Sequence, residues 1–145
     1  MRKTVKHLLQ DKEEGTWFTT PDSLVYDALK LMAEKGVGAL LVLEAGKLVG
    51  ILSERDYARK VVLQGKSSLD TPVREIMTTN VISVHPDQTI KECMTLMTDK
   101  RIRYLPVLVN DQVVGVVSIG DVVKAKIAEK DFLIKQLKSY ITGDR

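Results

Sequence analysis

The residues of this chain that are best suited to binding chemistry lie in a short motif that occurs twice. Residues 50–56 read Gly-Ile-Leu-Ser-Glu-Arg-Asp, and residues 115–121, 65 positions downstream, read Gly-Val-Val-Ser-Ile-Gly-Asp. The amides at a helix start attract a phosphate, and a hydroxyl and carboxylate beside them can hold a ribose. Gly50 and Gly115 would allow a flat base to approach closely. The motif therefore indicates a nucleotide-like ligand.

The same motif also has a purely structural interpretation. Ser followed three residues later by an acid, at a strand-to-helix junction, is a capping-box pattern. Ser53 and Ser118 would accept hydrogen bonds from first-turn amides, and Asp56 and Asp121 would lie at the positive end of a helix. The residues alone leave both interpretations open.

The motif is part of a longer internal duplication. Shifting the sequence by 65 positions aligns residues 17–61 with residues 82–126 without a gap, and 12 of the 45 pairs are identical. Each copy begins with a short β-type run, at 17–20 and 81–84, followed by Pro-Asp and a one-sided helical pattern. Two apolar strands and a second helix follow. The pattern predicts a β-α-β-β-α unit written twice, an α/β (α+β) fold.

The two units are expected to form one domain. Residues 1–69 comprise the first repeat with an N-terminal lead-in, and residues 70–145 comprise the second with a C-terminal helix; residues 64–72 form a Gly-, Ser- and Pro-containing linker. One unit of about 60 residues would leave its sheet face uncovered, so the copies should cover one another about a pseudo-twofold axis. A cleft between the halves is a usual place for a small ligand.

Three local features carry further expectations. The apolar spacing of residues 5–9 recurs at 73–77, which suggests two matching lead-in segments. Pro106 cannot donate a ladder hydrogen bond, so its strand should lie at a sheet edge or be interrupted there. Residues 130–141 extend or follow the last helix, and packing on the body of the domain is a simpler expectation than packing on a second subunit.

Composition and charge exclude several classes of protein. The chain has 145 residues, 44% of them apolar, which is enough for a packed core. The net charge of +3, from 22 basic and 19 acidic residues, is too balanced to argue for a polyanion partner. No apolar run approaches the roughly 18 residues that span a bilayer, and no apolar signal region follows the basic N-terminus. We expect a cytoplasmic protein with no membrane partner.

The sequence contains no recognisable catalytic constellation. His7 and His85 are isolated from other metal-ligating or nucleophilic residues, and no Gly-rich phosphate loop is present. The single cysteine, Cys93, excludes an internal disulfide and lies on an apolar helix face, which favours a buried small side chain. We therefore expect neither an enzyme nor a metal site.

The tandem units, each closed by Gly-apolar-apolar-Ser-x-x-Asp, resemble the CBS domain pair, or Bateman module, over almost the entire chain. A closer resemblance to small stand-alone CBS-pair proteins of bacteria and plant organelles lies in residues 27–32, 37–40, 53–60, 102–107 and 118–121. The resemblance implies the pseudo-twofold fold and two pseudo-equivalent ligand sites.

The residues that match the family pattern fall into two sets. Site 1 would comprise Val37, Gly38, Ala39, Tyr104, Pro106, Val116, Ser118, Gly120 and Asp121. Site 2 would comprise Ile51, Ser53, Arg55, Asp56, Thr78, Ile102 and Arg103. In each set the resemblance assigns the Asp to the ribose hydroxyls and the Ser to the ribose or phosphate. The planar guanidinium groups of Arg103 and Arg55 would meet the phosphate.

The function implied by the resemblance is a non-catalytic regulatory module that binds an adenine nucleotide. AMP is the first expectation, and ADP, ATP and NAD(H) are the others. The resemblance further implies a homodimer that signals energy or redox state to a separate effector protein, of the thioredoxin type in the related plant proteins.

Two other functions fit parts of the sequence. A nucleic-acid-binding protein would use its basic residues, although the balanced charge and scarce aromatics argue against it. Those residues are Lys100, Arg101, Arg103, Lys124, Lys126, Lys130, Lys135 and Lys138. A dimerisation module with an empty cleft is the third possibility.

Overall fold

The chain folds as two similar units of short strands and one-sided helices. The computed structural model describes residues 3–11 and 15–142. Its helices and strands, in chain order, are α1 (Val5–Asp11), β1 (Phe18–Thr19), α2 (Val25–Lys35), β2 (Ala39–Glu44), β3 (Lys47–Ser53), α3 (Glu54–Tyr57), α4 (Ile90–Lys100), β4 (Tyr104–Val109), β5 (Gln112–Ser118) and α5 (Ile119–Thr142). The predicted mixed α/β class is confirmed. A π-helical turn, Ala58–Val62, continues α3, where the repeat pattern predicted the second helix of the unit.

The two hairpins that carry the sites are built alike. Strands β2 and β3 are antiparallel with a bulge after Val42, and β4 and β5 are antiparallel with a bulge after Val107. The turn residues of both hairpins have positive φ angles, as two-residue hairpin turns require. They are Ala45, Gly46, Asn110 and Asp111. The hairpins therefore present Ser53 and Ser118 at equivalent strand ends.

Pro106 accounts for the main difference between the two sheets. In the first copy, the Leu41 amide donates to the Trp17 carbonyl over 3.2 Å and helps β1 to join β2. Pro106 stands at the equivalent position and has no amide hydrogen to donate. The second copy retains only an isolated bridge between Val84 and Val107. The edge-strand prediction is confirmed, and the strand predicted at 81–84 is reduced to that bridge.

The lead-in segments are exchanged between the two units. The Val5 amide donates to Gln88 in the second copy, and the Val73 amide donates to Ser23 in the first, each over 2.8 Å. Val5 and Leu8 belong to the core of the second unit, whereas Val73 and Ile76 belong to the core of the first. The duplication places a boundary between residues 69 and 70 in the sequence. Each core nevertheless includes a lead-in segment from the other side of that boundary.

The exchange also explains the repeated glycine. A Cβ atom at Gly50 would lie 2.8 Å from Met77 Sδ and 3.0 Å from the Thr78 carbonyl oxygen. A Cβ atom at Gly115 would lie 2.6 Å from a methyl group of Leu9. The interpretation of these glycines as room for a base is wrong, because side chains of the exchanged lead-in segments occupy that space.

The far half of α5 projects away from the body of the domain. Val122 and Ala125 are buried in the second core, but Phe132, Leu137 and Ile141 are exposed. The expectation that residues 130–141 pack on the body is therefore wrong. The last turns of α5 extend beyond the sheet and helices that could have covered them.

Gly50→Ala is expected to destabilise the fold by about 1–3 kcal/mol, since the new methyl group overpacks a site bounded by backbone. Gly120→Ala is the matched control, because a Cβ there meets only Ser118 Oγ at 3.6 Å. The control should be as stable as the parent or more stable by up to about 1 kcal/mol. Urea unfolding followed by circular dichroism measures both, and equal stability of the two variants would refute the packing role of Gly50.

Candidate functional site

The first repeated motif forms a capping box at the junction of β3 and α3. The Ser53 amide donates to Asp56 Oδ2 over 3.0 Å, and the Asp56 amide donates back to Ser53 Oγ over 3.2 Å. The Ser53 hydroxyl also lies 3.1 Å from Asp56 Oδ2. These bonds satisfy backbone donors that a helix start would otherwise leave open. The capping-box interpretation is confirmed at this motif.

The second carboxylate oxygen of Asp56 faces a wall of the domain. Lys60 Nζ lies 3.2 Å from Asp56 Oδ1 and donates to the Ile76 carbonyl over 2.9 Å. The Thr78 hydroxyl is 3.4 Å from the same Oδ1 atom. One oxygen of Asp56 thus serves the helix cap, and the other contacts Lys60 of the π-helical turn and Thr78, which directly follows the exchanged lead-in segment.

The second motif repeats the cap between β5 and α5. The Ser118 amide donates to Asp121 Oδ2 over 2.9 Å, and the Asp121 amide donates to Ser118 Oγ over 3.2 Å. Ala125 occupies the position equivalent to Lys60 and is buried. Position 60 supplies an ammonium group to Asp56, whereas the equivalent position 125 supplies none to Asp121.

Two clefts lie between the units, and one of them is lined by residues of the second motif. This site 1 cleft has a volume of about 230 Å³. It is lined by Gly15, Trp17, Gly36, Val37, Gly38, Ala39, Leu41, Ile51, Tyr104, Val116, Ser118 and Asp121. Residues 37–39 enter from the first unit, and Val116, Ser118 and Asp121 enter from the second. The cleft therefore exists only when both units are in place.

The other cleft contains the first motif. This site 2 cleft has a volume of about 360 Å³. It is lined by Gly38, Ile51, Ser53, Glu54, Arg55, Asp56, Arg59, Thr78, Asn80, Val81, Ile82, Arg101, Ile102, Arg103 and Tyr104. Here residues 102–104 take the place that residues 37–39 have in the site 1 cleft. The two clefts thus follow the 65-residue offset of the duplication.

The structure brings together most of the residues predicted for the two sites. All seven residues named for site 2 line the site 2 cleft. Seven of the nine named for site 1 line the site 1 cleft, and Pro106 and Gly120 do not. Pro106 is buried within β4, and Gly120 is exposed on the first turn of α5. The structure thus shows that these residues line the two clefts. That they contact a ligand remains a prediction.

Several lining residues were not found from the sequence. Trp17 lines the site 1 cleft and Ile82, its partner at the 65-residue offset, lines the site 2 cleft. Arg101 and Arg59 also line the site 2 cleft. The repeat offset could have identified the first pair. From the sequence, Arg101 was named only among the basic residues of the alternative nucleic-acid-binding function, because sequence does not show which way a helix end faces.

Tyr104 lies between the two clefts and lines both. Burial is the main cause that raises the pKa of Tyr104, and Glu54 adds to it, while Arg103 acts in the opposite direction. A Cβ atom added at Gly38 would clash with the Tyr104 hydroxyl. Gly38 therefore lets this ring reach the boundary between the two clefts.

Cys93 and His7 lie outside both clefts. Cys93 is fully buried, and burial, aided by Glu92, raises the pKa of its thiol to about 11. His7 Nδ1 accepts from the Thr4 amide over 3.1 Å at the start of α1.

Within residues 3–11 and 15–142, no group of three or more His, Cys, Asp or Glu side chains could hold a metal ion. Nor, in the same part of the chain, is any helix long and apolar enough to cross a membrane.

The fold and the site define a class of protein, which is a duplicated α/β module with a pair of clefts between its two units. The family model of the CBS domain matches residues 17–63 and residues 73–128. The two matches coincide with the two units, and together they cover more than half of the chain. The chain belongs to the CBS domain family, and the resemblance to a CBS domain pair is confirmed.

Known proteins that resemble the chain are also CBS-domain proteins. A mitochondrial CBS domain-containing protein of Arabidopsis thaliana, CBSX3, is 42% identical over 97% of this chain and 72% of its own length. A protein with CBS domains from Burkholderia ambifaria is 52% identical, with a TM-score of 0.84 over 87% of this chain and 95% of that chain. The CBS domain pair of protein MJ0100, solved in complex with 5′-methylthioadenosine and S-adenosyl-L-methionine, is 26% identical. Its TM-score is 0.79 over 89% of this chain and 99% of that chain.

Cys93 is expected to be chemically inert in the folded protein. Its thiol stays protonated at pH 8 because its pKa of about 11 lies well above that value, and only the thiolate is a good nucleophile. Reaction with Ellman's reagent at pH 8 should be at least ~100-fold slower in the native protein than in concentrated guanidinium chloride, which exposes the thiol. Equal rates in the two states would show that the side chain is accessible in the fold.

Proposed function

We propose that the protein is a non-catalytic regulatory module that binds an adenine nucleotide between its two units. AMP is proposed as the ligand, and ADP, ATP and NAD(H) are the alternatives to test against it. Binding reports the energy or redox state of the cell to a separate effector protein, for which a thioredoxin-type protein is one candidate.

The observation that carries the proposal is the composition of the clefts. In each one, a Ser–Asp pair at a helix start shares the cleft with apolar residues contributed by the other unit. The carboxylate and hydroxyl suit the two hydroxyls of a ribose, and the apolar walls suit the faces of a purine. The MJ0100 pair, which was solved with two adenosine derivatives, supports a ligand of this kind for the present chain.

The site 2 cleft offers the fuller set of contacts for a nucleotide. In the proposed complex, Asp56 and Ser53 hold the ribose and Ile51 and Ile102 flank the base. The ribose hydroxyls replace the contacts that Lys60 and Thr78 make with Asp56 Oδ1. Arg103 meets the phosphate, since a guanidinium group forms paired hydrogen bonds with phosphate oxygens. Arg55, which lines the same cleft, is proposed to do the same.

Regulation follows from the shared construction of the clefts. Each cleft takes its carboxylate from one unit and its facing wall from the other, so a bound ligand links the two units. A ligand shifts a conformational equilibrium by as much as its affinities for the two states differ. We propose that occupancy changes the relative packing of the units, and that an effector protein recognises this change.

Asp56→Asn tests the proposed ligand. The substitution keeps an oxygen that can accept from the Ser53 amide, but it removes the charge that binds the ribose. For the parent protein, AMP at 100 times its dissociation constant should stabilise the fold by about 2.7 kcal/mol, measured by thermal shift. The variant should bind AMP about 10–100-fold more weakly in calorimetry, as loss of a charged hydrogen bond predicts.

Asp87→Asn is the control, because Asp87 is exposed and lines neither cleft. It should bind AMP like the parent protein. Titrations with ADP, ATP, NAD⁺, NADH and S-adenosylmethionine rank the alternatives. If none of these compounds shifts the melting temperature or releases heat, the proposed function is wrong and a structural module with empty clefts is favoured.

We also propose that the protein is a homodimer, with the exposed half of α5 packed against a second copy. Phe132, Leu137 and Ile141 are 64%, 53% and 80% exposed, and burying them in a subunit contact would remove apolar surface from water.

Light scattering should give twice the 16.2 kDa mass of the chain. Leu137→Lys should shift the mass toward the monomer, because it places a charge in the proposed contact. Gln136→Lys, on the neighbouring exposed position, should leave the dimer intact. A monomer in all three samples would refute the proposal.

A further inference from the structure

Helix α5 carries an apolar stripe that the described body of the domain leaves uncovered. Residues on the stripe recur at alternating intervals of four and three positions along the helix. They are Val123, Ile127, Lys130, Ile134, Leu137 and Ile141. The five apolar side chains are 43% to 80% exposed, and Lys130 is exposed as well.

The stripe lies on a different side of α5 from the residues that attach this helix to the domain. Val122 and Ala125 pack into the second core. They lie about 100° and 160° around the helix from Val123, since each residue turns an α-helix by about 100°. From Val123 to Ile141 the stripe is about 27 Å long. The exposed surface therefore begins in the attached half of α5 and continues to its projecting end.

Intervals of three and four residues form the heptad pattern of a coiled coil. The core positions of the heptad are Ile127, Ile134 and Ile141 at a, and Val123, Lys130 and Leu137 at d. Isoleucine at a with leucine at d favours two parallel strands. We infer that α5 pairs with α5 of a second copy as a parallel two-stranded coiled coil. This inference rests on the proposed homodimer and specifies its contact.

The charges beside the stripe favour the parallel arrangement. Salt bridges between the e and g positions set the orientation of a coiled coil, and a parallel pair brings Lys126 at g to Asp131 at e of the second copy. The two-fold symmetry of a dimer repeats this pair. An antiparallel coil with the same apolar overlap would place Asp131 opposite Asp131 of the second copy, and like charges repel.

Both partners of this pair are available for it. Asp131 is exposed, and none of the ion pairs among the described residues includes it. Lys126 lies 3.6 Å from Glu129 of its own helix. An ammonium group has three donors, so Lys126 can contact a second carboxylate without giving up the first.

Lys130 limits the strength of the pairing. In a parallel coil it faces Lys130 of the second copy, within a stripe that is otherwise apolar. A lysine can cover apolar surface with its methylene stem while its ammonium group stays in water. A single polar residue in the core of a coiled coil fixes the register at a cost in stability. We therefore expect a dimer that dissociates on dilution.

A parallel pairing also sets the relation between the ligand clefts of the two copies. Helix α5 begins directly after Ser118, which caps it in the site 1 cleft. The two copies would have this cap at the same end of the coil. In the antiparallel coil the two caps would be about 40 Å apart along the axis.

Cysteine cross-linking tests the orientation. The native Cys93 is fully buried, so an introduced surface cysteine can be oxidised selectively. Leu137→Cys should form an intermolecular disulfide with oxidised glutathione, because the two copies of this residue share one layer of a parallel coil. In the antiparallel coil they would lie about 15 Å apart along the axis, which is too far for a disulfide. Gln136→Cys, whose side chain lies off the stripe, is the control and should stay largely uncross-linked on a non-reducing gel.

Lys130→Leu should lower the dissociation constant of the dimer by at least about 10-fold, because it replaces a charge in the stripe with an apolar side chain. Sedimentation equilibrium measures the constant. Lys135→Leu is the matched control, since Lys135 is exposed at a b position outside the stripe. It should leave the constant unchanged, and equal tightening in both variants would overturn the assignment of the contact to the stripe.

The outcomes separate the coiled coil from the proposed function. If the protein is a dimer but Leu137→Cys cross-links no faster than Gln136→Cys, the parallel coil is wrong and the homodimer stands. If the protein is a monomer, the coil and the homodimer both fail, while nucleotide binding is decided by its own titrations. Binding of the monomer to vesicles of phosphatidylcholine and phosphatidylserine, lost in Leu137→Lys, would assign the stripe to a membrane surface and overturn the inference.

Discussion

The architecture depends on the reciprocal exchange of two short apolar segments. One unit has a three-stranded sheet and the other has a two-stranded sheet. The core beneath each sheet includes a segment from outside its own repeat. The same segment that fills the space above Gly50 continues into Thr78, whose backbone forms two hydrogen bonds with Ile51, of 2.9 and 3.0 Å. The segment that completes the first core therefore also forms part of the wall of the site 2 cleft. Loosening the exchanged segments would disturb the clefts as well as the cores.

The structural and ligand-binding roles of the repeated Ser–Asp pair are compatible. The capping box uses one oxygen of Asp56 and fixes the direction of the carboxylate, while the other oxygen remains turned toward Lys60 and Thr78 at the cleft. A group held by its own helix start needs little reorganisation when a ligand arrives, and such preorganisation favours binding. The helix cap is thus the feature that would position the carboxylate for a ribose.

Duplication has preserved the geometry of the sites while their chemistry has diverged. The backbone of each hairpin, its bulge and its cap are repeated, because these depend on strand pairing and helix termination. Side chains that face a cleft are not constrained in this way, so Gly38 in one copy can stand where Arg103 stands in the other. Tyr104, in place of Ala39, lies between the two spaces and lines both. Core pairs such as Val25 and Ile90 differ only in size, whereas the cleft pairs Gly38 and Arg103 and Ala39 and Tyr104 differ in charge or in aromatic character.

The sequence by itself determined the features that depend on local pattern: the 65-residue repeat, the order of strands and helices, the caps at Ser53 and Ser118, and most of the residues around the two clefts. Periodicity and capping chemistry act over a few residues, so they can be recognised without a structure. Only the tertiary structure decided which core each lead-in segment joins, what fills the space above Gly50, and that Arg101 lines the site 2 cleft. Those outcomes depend on contacts between residues far apart in the chain, and local composition carries no information about which distant surface a segment will meet.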